Sequence, residues 1–373
     1  MIIKEVNDKK TRKDFLDVAR KIYADDPNWV CPLDQDIEAI FNPQKNNFHS
    51  HGKAIRWVLY DDNGESIGRI AAFVNEKKAY TFEQPTGGVG FIECIDDADA
   101  FKLLFDTGKE WLKAQGMEAM DGPINFGEND TFWGLLLEGF THPSYGMNYH
   151  KPYYKKHFKD YGFDVFFEQI TNHLDINKPF PERFTKIAEW VSKKEGYEFK
   201  HLDAKKFDQF AQDFVEIYND GWKEHPNFVP IKLETVRESF EQMKLIMDPK
   251  LIWFAYVNGE PASFVVILPD ANLMIKPLKG KLDFIGKLKF LYYKWKGVNR
   301  MRAVVMGTKQ KFQKHGLESA MFIKLKEYVL PLKQYDELEL SWVGDFNDKM
   351  LAIHSATGSV FGKRHATMRY IFK

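Results

Sequence analysis

Residues 303–328 read AVVMGTKQKFQKHGLESAMFIKLKEY, and this stretch decides the fold. Its first four residues form a short apolar run with two β-branched valines, which is typical of a buried strand. A basic loop then runs through Gly307 to Gly316, and from Leu317 onward the apolar residues recur at helical spacing. Free backbone N–H groups and the positive end of the helix dipole both face such a loop. The stretch therefore predicts an anion site.

The sequence after this stretch continues one recognisable plan. Residues 337–342 alternate with a period of two and predict a strand, and a helix is expected from Asn347 to just before Gly358. A last strand is expected at about residues 366–372. The loop has neither the Walker pattern nor the dinucleotide fingerprint, which excludes the usual nucleoside triphosphate and NAD sites.

The same plan occurs earlier in the chain, so we expect two copies of one α/β domain with a mixed sheet and flanking helices. A chain of 373 residues is too long for one ordinary domain and suits two. The predicted domains span residues 1–175 and 182–373, because Asn177, Pro179 and Pro181 mark a linker. Where the second copy has its basic loop, the first has acidic residues at 96, 97 and 99, which would repel an anion. One site is therefore expected, in the second domain.

The amino-acid composition narrows the classes of function and the cellular location that the protein can have. The 53 basic and 53 acidic residues cancel, so no overall field favours nucleic acid. Cys31 and Cys94 have no metal-binding or disulfide spacing, which predicts a reducing, cytoplasmic location and no metal. No apolar run is long enough to span a bilayer, and the N-terminus has no signal-peptide core.

Residues 276–302 are strongly basic and amphipathic. Nine of them are Lys or Arg against the single acid Asp283, and a helical wheel places Phe284, Leu288, Leu291 and Trp295 on one stripe. Such a helix suits peripheral contact with a membrane. The alternative is an ordinary helix that packs this stripe on the domain core and leaves its lysines in solvent.

The glycine loop resembles the pyrophosphate loop of the GNAT acyltransferase superfamily, with Gln313 and Gly316 matching and Glu318 standing where the superfamily has a small residue. Motifs in both halves are similar to the tandem-domain branch that includes bacterial ceramide synthases. They include Gly122-Pro123-Ile124-Asn125-Phe126 and Glu339-Leu340-Ser341-Trp342. The resemblance implies two tandem GNAT domains and transfer of a long-chain acyl group from coenzyme A to an amine such as a sphingoid base.

The resemblance also implies a set of site residues. Those expected to contact coenzyme A are Val305, Met306, Gly307, Gln313, Lys314, Gly316, Leu317, Ser319 and Asn347. Those expected to contact the acceptor are Trp222, Asn272, Ser341 and Trp342.

Two residues are candidate catalysts. Glu339 is the predicted general base for the ammonium of the acceptor, with Glu318 as runner-up. The alternative is that Glu339 is a solvent-facing or salt-bridged strand glutamate. His354 replaces the superfamily tyrosine, and its imidazolium would protonate the leaving thiolate unless it is only a surface histidine near a helix end.

Two other functions remain open at this point. A GNAT enzyme acting on a soluble amine or peptide would bind acetyl-CoA as well as palmitoyl-CoA and ignore membranes. A non-catalytic protein on the same fold would bind no coenzyme A ester.

Overall fold

The computed structural model describes residues 1–224, 228 and 230–373. In this part of the chain the strands are β1 Ile2–Glu5, β2 Gly52–Tyr60, β3 Ser66–Asn75, β4 Thr86–Cys94, β5 Ala119–Gly122, β6 Leu135–Glu138, β7 Asp164–Asp175, β8 Tyr197–His201, β9 Ile252–Val257, β10 Glu260–Pro269, β11 Arg300–Thr308, β12 Glu337–Gly344 and β13 Val360–Ile371. The helices are α1 Lys9–Ile22, α2 Asp34–Ile40, α3 Glu76–Ala79, α4 Ala98–Ala114, α5 Tyr154–Tyr161, α6 Glu182–Ser192, α7 Phe207–Trp222, α8 Leu233–Met243, α9 Ala271–Ile275, α10 Phe284–Lys296, α11 Leu317–Val329 and α12 Asp348–Ala356.

All these strands join one sheet in the order β1-β2-β3-β4-β5-β13-β7-β12-β11-β10-β9-β8, with β6 also paired to β13. Two neighbouring pairs are parallel, β4 with β5 and β11 with β12, and the other pairs are antiparallel. The order reads the same from either end if β1 is matched with β8 and β5 with β12. This symmetry confirms the predicted mixed α/β fold with repeated halves.

The two halves exchange a strand at the centre of the sheet. β7, which ends the first half, pairs with β12 of the second half. β13, which ends the second half, pairs with β5 of the first, and β7 and β13 pair with each other. The predicted boundary at residues 175–182 falls just after β7, so a cut there would separate each half from one strand of its own sheet.

Helices cover both faces of the sheet because each carries one apolar stripe. In α1, Phe15, Val18 and Ala19 are buried against β2, β3 and β4, and a capping box between Asp8 and Thr11 begins the helix. The opposite face of the first half is covered by α4 and α5. In the second half, α7 and α8 cover one face, and α6 and α11 cover the other.

Several elements, among them α2, β6, β7 and α6, were not predicted. α2 lies between segments that the sequence indicates as irregular, and β7 lies where the sequence shows no strand pattern. Among the described residues, no helix is long and apolar enough to cross a bilayer.

Candidate functional site

A wedge opens between the parallel strands β11 and β12. Their pairing runs from Arg300 opposite Glu337 to Ala303 opposite Leu340, and beyond this point β11 stays on β10 while β12 stays on β7. The register of β11 on β10 skips Val304, which is a β-bulge. The bulge takes the backbone of Val304 out of the ladder, just beyond the last paired residues of β11 and β12.

The corresponding wedge of the first half is closed at its apex. β4 and β5 pair at residues 86–88, and Ile124 N then donates a hydrogen bond of 2.9 Å to Val89 O. A Cβ at Gly90 would lie 1.9 Å from Ile124 O. The helix that follows is capped by Asp97, whose carboxylate accepts from Ala100 N at 2.8 Å. The first half therefore offers an anion neither a loop nor an uncapped helix end.

In the second half, by contrast, α11 begins without a side-chain cap. Its N-cap is Gly316, in the left-handed region at φ +77°, and Lys314 before it is also left-handed at φ +67°. The N–H groups of the first helical turn, which include Leu317 and Ser319, have no partner within the helix. They point to the loop and suit a phosphate group.

Glu318 is turned away from this loop. Its Oε1 accepts a hydrogen bond of 2.6 Å from Thr308 Oγ1, and Thr308 in turn contacts Ser263 Oγ at 2.7 Å. The acid that departs from the superfamily pattern thus ties α11 to β11. This position also makes it a poor general base, because it faces the strand.

Besides its left-handed backbone angle, a second feature of the structure requires glycine at position 316. A Cβ there would lie 2.6 Å from Ile187 Cγ2 and 3.1 Å from Val191 Cγ2, both on α6. The helix that connects the halves therefore packs directly against the loop. Nearby, Lys349 Nζ donates to Gln313 Oε1 at 3.5 Å, and Asn347 caps α12 by accepting from Met350 N at 3.2 Å.

Three of the four residues predicted to contact the acceptor lie on the walls of the wedge, and the fourth, Asn272, lies elsewhere. Ser341 and Trp342 lie on the β12 wall of the wedge, where Ser341 Oγ accepts from Arg302 Nε at 2.8 Å. Trp222 packs against the β11 wall, since a Cβ at Gly307 would lie 2.3 Å from its ring. Asn272 is buried elsewhere, and its Nδ2 donates to Pro143 O at 2.7 Å, which links the two halves.

Glu339 lies in a buried cluster of charges and is fully inaccessible to solvent. Its Oε2 accepts from Arg300 Nη2 at 2.8 Å and lies 3.8 Å from Lys363 Nζ, and its Oε1 lies 3.8 Å from Arg302 Nε. Burial would raise the pKa of Glu339, but the nearby Arg300, Lys363 and Arg302 charges outweigh it and lower the pKa. A buried carboxylate stabilised in this way has little tendency to take a proton. The setting favours the salt-bridged alternative, and the role of Glu339 as base stays a prediction.

His354 is buried in α12, with its Nδ1 lying 3.2 Å from Asn172 Nδ2 on β7. Burial lowers the pKa of His354 to about 4. The expectation that it carries an imidazolium at neutral pH is therefore wrong, because charging the ring would require solvation that this position lacks. The surface position of the alternative is wrong as well. A neutral imidazole whose Nδ1 accepts from Asn172 holds its proton on Nε2 and can donate a hydrogen bond from there.

Sequence reasoning missed the polar residues of β7 and of the segment between β5 and β6. Gln169 on β7 is fully buried, and Asp130 and Arg302 line the same small cavity as Gln169. The strand has polar residues at buried positions, so apolar periodicity gave no signal for it.

Comparison with known proteins places this geometry in a family. No protein-family model matches the chain. The bacterial ceramide synthase of Caulobacter vibrioides (strain NA1000 / CB15N) is 31% identical over 366 residues, which cover 95% of this chain and 93% of that protein. The chain belongs to the bacterial ceramide synthase family. Protein YghO of Escherichia coli (strain K12) is 28% identical over 370 residues, 98% of this chain and 94% of that protein.

Solved structures confirm the fold. A tandem GNAT protein from the clavulanic acid biosynthesis pathway superposes with a TM-score of 0.59 at 13% identity, covering 99% of this chain and 98% of that one. A GCN5-related N-acetyltransferase from Sphaerobacter thermophilus gives a TM-score of 0.54 at 10% identity, covering 99% and 95%. As a member of the ceramide synthase family with the tandem GNAT fold, the chain is an acyl-CoA N-acyltransferase.

Proposed function

We propose that the protein transfers a long-chain acyl group from coenzyme A to the amine of a sphingoid-type base at a membrane surface. The observation that carries the proposal is the exposed apolar face of α10. Phe284 is 75% exposed and Trp295 81%, and Ile285, Leu288, Leu291 and Tyr292 between them are also exposed. The opposite side of α10, with Gly286 and Phe290, packs on the core. The alternative in which the predicted stripe covers the core is therefore wrong.

The charges around this face fit an anionic surface. Lys287, Lys289, Lys294 and Lys296 are exposed on α10, and in the described chain none of them has an ion-pair partner. Unpaired lysines beside exposed aromatic and aliphatic side chains are what an interfacial helix presents to anionic lipid headgroups. A membrane-bound enzyme can draw both an acyl donor and a lipid-like amine from the same surface, which is why this face supports a lipid substrate. The name of the Caulobacter relative points to the same substrate class.

The donor site in this proposal is the wedge with its loop. The first-turn N–H groups of Leu317, Glu318 and Ser319 bind the pyrophosphate, and Lys314 lies exposed beside them. Gln313 and Asn347 flank the loop. The pantetheine chain then follows Gly307, Met306 and Val305 to the bulge.

The chemistry needs no covalent intermediate on the protein. The acceptor nitrogen loses a proton and attacks the thioester carbon; a C–N bond forms and the C–S bond breaks. The second proton leaves the nitrogen as the amide forms, and the thiolate takes one proton, so one proton is released overall. A backbone N–H at the bulge stabilises the oxyanion. The thiolate takes the second proton that the nitrogen loses, and the neutral His354 side chain is proposed to donate a hydrogen bond to the leaving sulfur.

The test is thermal stabilisation of the purified protein by coenzyme A esters from acetyl to palmitoyl. A ligand that binds only the folded state raises its melting temperature, and the increase grows with the ratio of ligand concentration to dissociation constant. We expect stabilisation that grows with chain length, and N-palmitoyl product by mass spectrometry when a sphingoid base and palmitoyl-CoA are supplied. Equal stabilisation by acetyl-CoA would instead favour a soluble acceptor. If no ester stabilises the protein, the result would favour a non-catalytic protein that binds no coenzyme A ester.

A matched pair of variants tests the loop. Lys314 and Lys333 are both exposed and both left-handed, at φ +67° and +50°, but they precede and follow α11 respectively. Lys314→Glu should weaken binding of palmitoyl-CoA by about tenfold, since reversing one charge near a phosphate costs roughly 1–2 kcal/mol. Lys333→Glu should leave the affinity unchanged. Equal affinities of the two variants would exclude the loop from the donor site.

A further inference from the structure

A wide cleft lies at the outer edge of the second half. Its volume is about 450 Å³, which is within the usual range for ligand sites in proteins. Its wall is built from residues 198–201 of β8, from Trp253 and Tyr256 of β9 and from the first turn of α7. Two strands, β9 and β10, separate β8 from β11 in the sheet. The cleft is therefore distinct from the wedge.

The backbone of β8 is free on the side of the sheet edge, because β8 is the last strand in the sheet order. Leu202 N donates a hydrogen bond of 2.8 Å to Ile252 O, which stands opposite it on β9. Residues of an antiparallel pair alternate in the direction of their backbone groups, so the even-numbered residues of β8 bond to β9. The N–H and C=O groups of Phe199 and His201 therefore point outward, and both residues line the cleft.

A buried hydrogen-bond donor without a partner also lines the cleft. Trp253 is only 8% exposed, and its Nε1 has no hydrogen-bond partner among the described residues. Its ring lies edge-on to that of His201, at 5.7 Å between centroids, so it adjoins the free edge of β8. Buried polar atoms are nearly always paired. An indole N–H can only donate, so its partner must be a carbonyl or carboxylate oxygen.

The charged side chains of the cleft leave one cation unpaired. Glu198 and Lys200 form an ion pair at 2.5 Å. The Asp203 carboxylate accepts a hydrogen bond of 2.9 Å from Lys205 N. Lys206, by contrast, is exposed and has no ion-pair partner in the part of the chain that the structure describes. With the indole N–H, this ammonium gives the cleft unpaired donors that suit a negatively charged partner.

We propose that the edge of β8 and this cleft bind an extended, acidic peptide segment of a partner protein. The segment adds to the sheet as a further strand and exchanges backbone hydrogen bonds with Phe199 and His201. Its acidic side chains accept from Trp253 and pair with Lys206. A small anion would leave the free backbone groups of the edge unused, and a second copy of this chain would bring another unpaired Lys206 to the same interface. This docking site goes beyond the proposed acyl transfer and does not depend on it.

The experiment uses the full chain and two fluorescein-labelled peptides of seven residues with blocked termini. In one peptide threonine alternates with glutamate, and in the other threonine alternates with lysine. Fluorescence anisotropy measures their binding, and hydrogen exchange locates it. We expect the glutamate peptide to bind at least tenfold more tightly than the lysine peptide. It should also slow amide exchange within residues 197–203, because a new strand protects the outward N–H groups.

Three substitutions test the side chains of the cleft. Trp253→Phe keeps a ring but removes the N–H, and should weaken binding of the glutamate peptide about tenfold because a hydrogen bond to a charged group is lost. Its melting temperature should not fall, since no internal hydrogen bond is removed. Trp57→Phe is the matched control, because Trp57 on β2 of the first half is equally buried at 8%. Lys206→Gln should weaken binding of the glutamate peptide and leave binding of the lysine peptide unchanged.

Two proline substitutions test the strand edge. His201→Pro removes an outward N–H and should weaken peptide binding with little loss of stability, since proline is tolerated where an edge N–H faces solvent. Lys200→Pro removes an N–H that bonds to β9 and should lower the melting temperature instead.

The proposal is overturned if the glutamate peptide does not bind at millimolar concentration, or if it binds Trp253→Phe and His201→Pro as tightly as the unmodified protein. A dimer in light scattering that His201→Pro separates would also overturn it, because a second copy of the chain would then occupy the edge. Stabilisation by palmitoyl-CoA should be the same in the Trp253, Lys206 and His201 variants as in the unmodified protein, so this site and the donor site are tested separately.

Discussion

Replacing Phe284, Leu288 and Trp295 by serine should detach the protein from anionic vesicles without unfolding it. All three side chains are more than half exposed, so the variant removes little of the core. Full burial of such a side chain contributes about 1.5–3 kcal/mol, and an interfacial helix buries roughly half of it. The three substitutions together should therefore cost about 3 kcal/mol, which weakens vesicle binding roughly 100-fold.

The assay is co-sedimentation with vesicles of mixed neutral and anionic phospholipid, at low and at physiological salt. Because the neighbouring lysines contribute about 1 kcal/mol each near an anionic surface, binding should also fall as salt rises. Trp190→Ser is the matched control, since Trp190 on α6 is also an exposed helical tryptophan at 62%. Phe290→Ser on the buried side of α10 should instead lower the melting temperature.

Undiminished vesicle binding by the triple variant, at an unchanged melting temperature, would refute the reasoning. A change in oligomeric state with no change in vesicle binding would show that α10 covers a second copy of the chain instead.

Three further predictions concern buried titratable groups. Glu339→Gln should lower stability by about 3–5 kcal/mol, measured by urea unfolding, because the buried Lys363 loses the carboxylate beside it and Arg300 loses one of its three carboxylate partners. An effect on turnover alone would restore Glu339 as the base. His354→Ala should reduce turnover, yet the pH–rate profile of the unmodified enzyme should show no limb from His354 between pH 6 and 8, because burial lowers its pKa to about 4. Stability should fall as pH drops from about 6.5 to 4. Burial lowers the pKa of His150 to about 3 and that of His365 to about 4, whereas the same side chains in the unfolded chain take up protons near pH 6.5. Each of these pKa differences corresponds to roughly 3–5 kcal/mol of the free energy of unfolding. A flat melting temperature across that range would contradict the burial of these rings.

Most local elements that carry apolar periodicity were predictable, although α6 was missed despite Phe184, Ala188 and Val191 at helical spacing, because the prolines before it indicated a linker. The strand, loop and helix around Gly316 and the repeat of this plan in two halves follow from periodicity and glycine placement. β7 was missed because its buried positions include Gln169 and Thr171, which have no apolar signal. The stripe on α10 was recognised, but periodicity cannot say which side of a stripe faces solvent.

Only those parts of the candidate site whose residues are adjacent in the sequence were predictable. The loop residues lie together because they are adjacent in the chain. The low pKa of His354 and the ion pairs of Glu339 depend on strands from both halves meeting at the centre of the sheet. Pairing between distant strands leaves no local trace in the sequence.

The exchange of β7 and β13 has a consequence for how the chain is made. The first half of the sheet lacks the neighbour of β5 until residues 360–371 have left the ribosome, so it cannot finish folding while the second half is being synthesised. Pairings that join such distant segments form slowly, and the exposed edge of β5 is open to wrong partners in the meantime. A nascent-chain proteolysis experiment should therefore find the first half sensitive until the last strand emerges. Separate expression of the two halves should yield soluble protein only when both are made together.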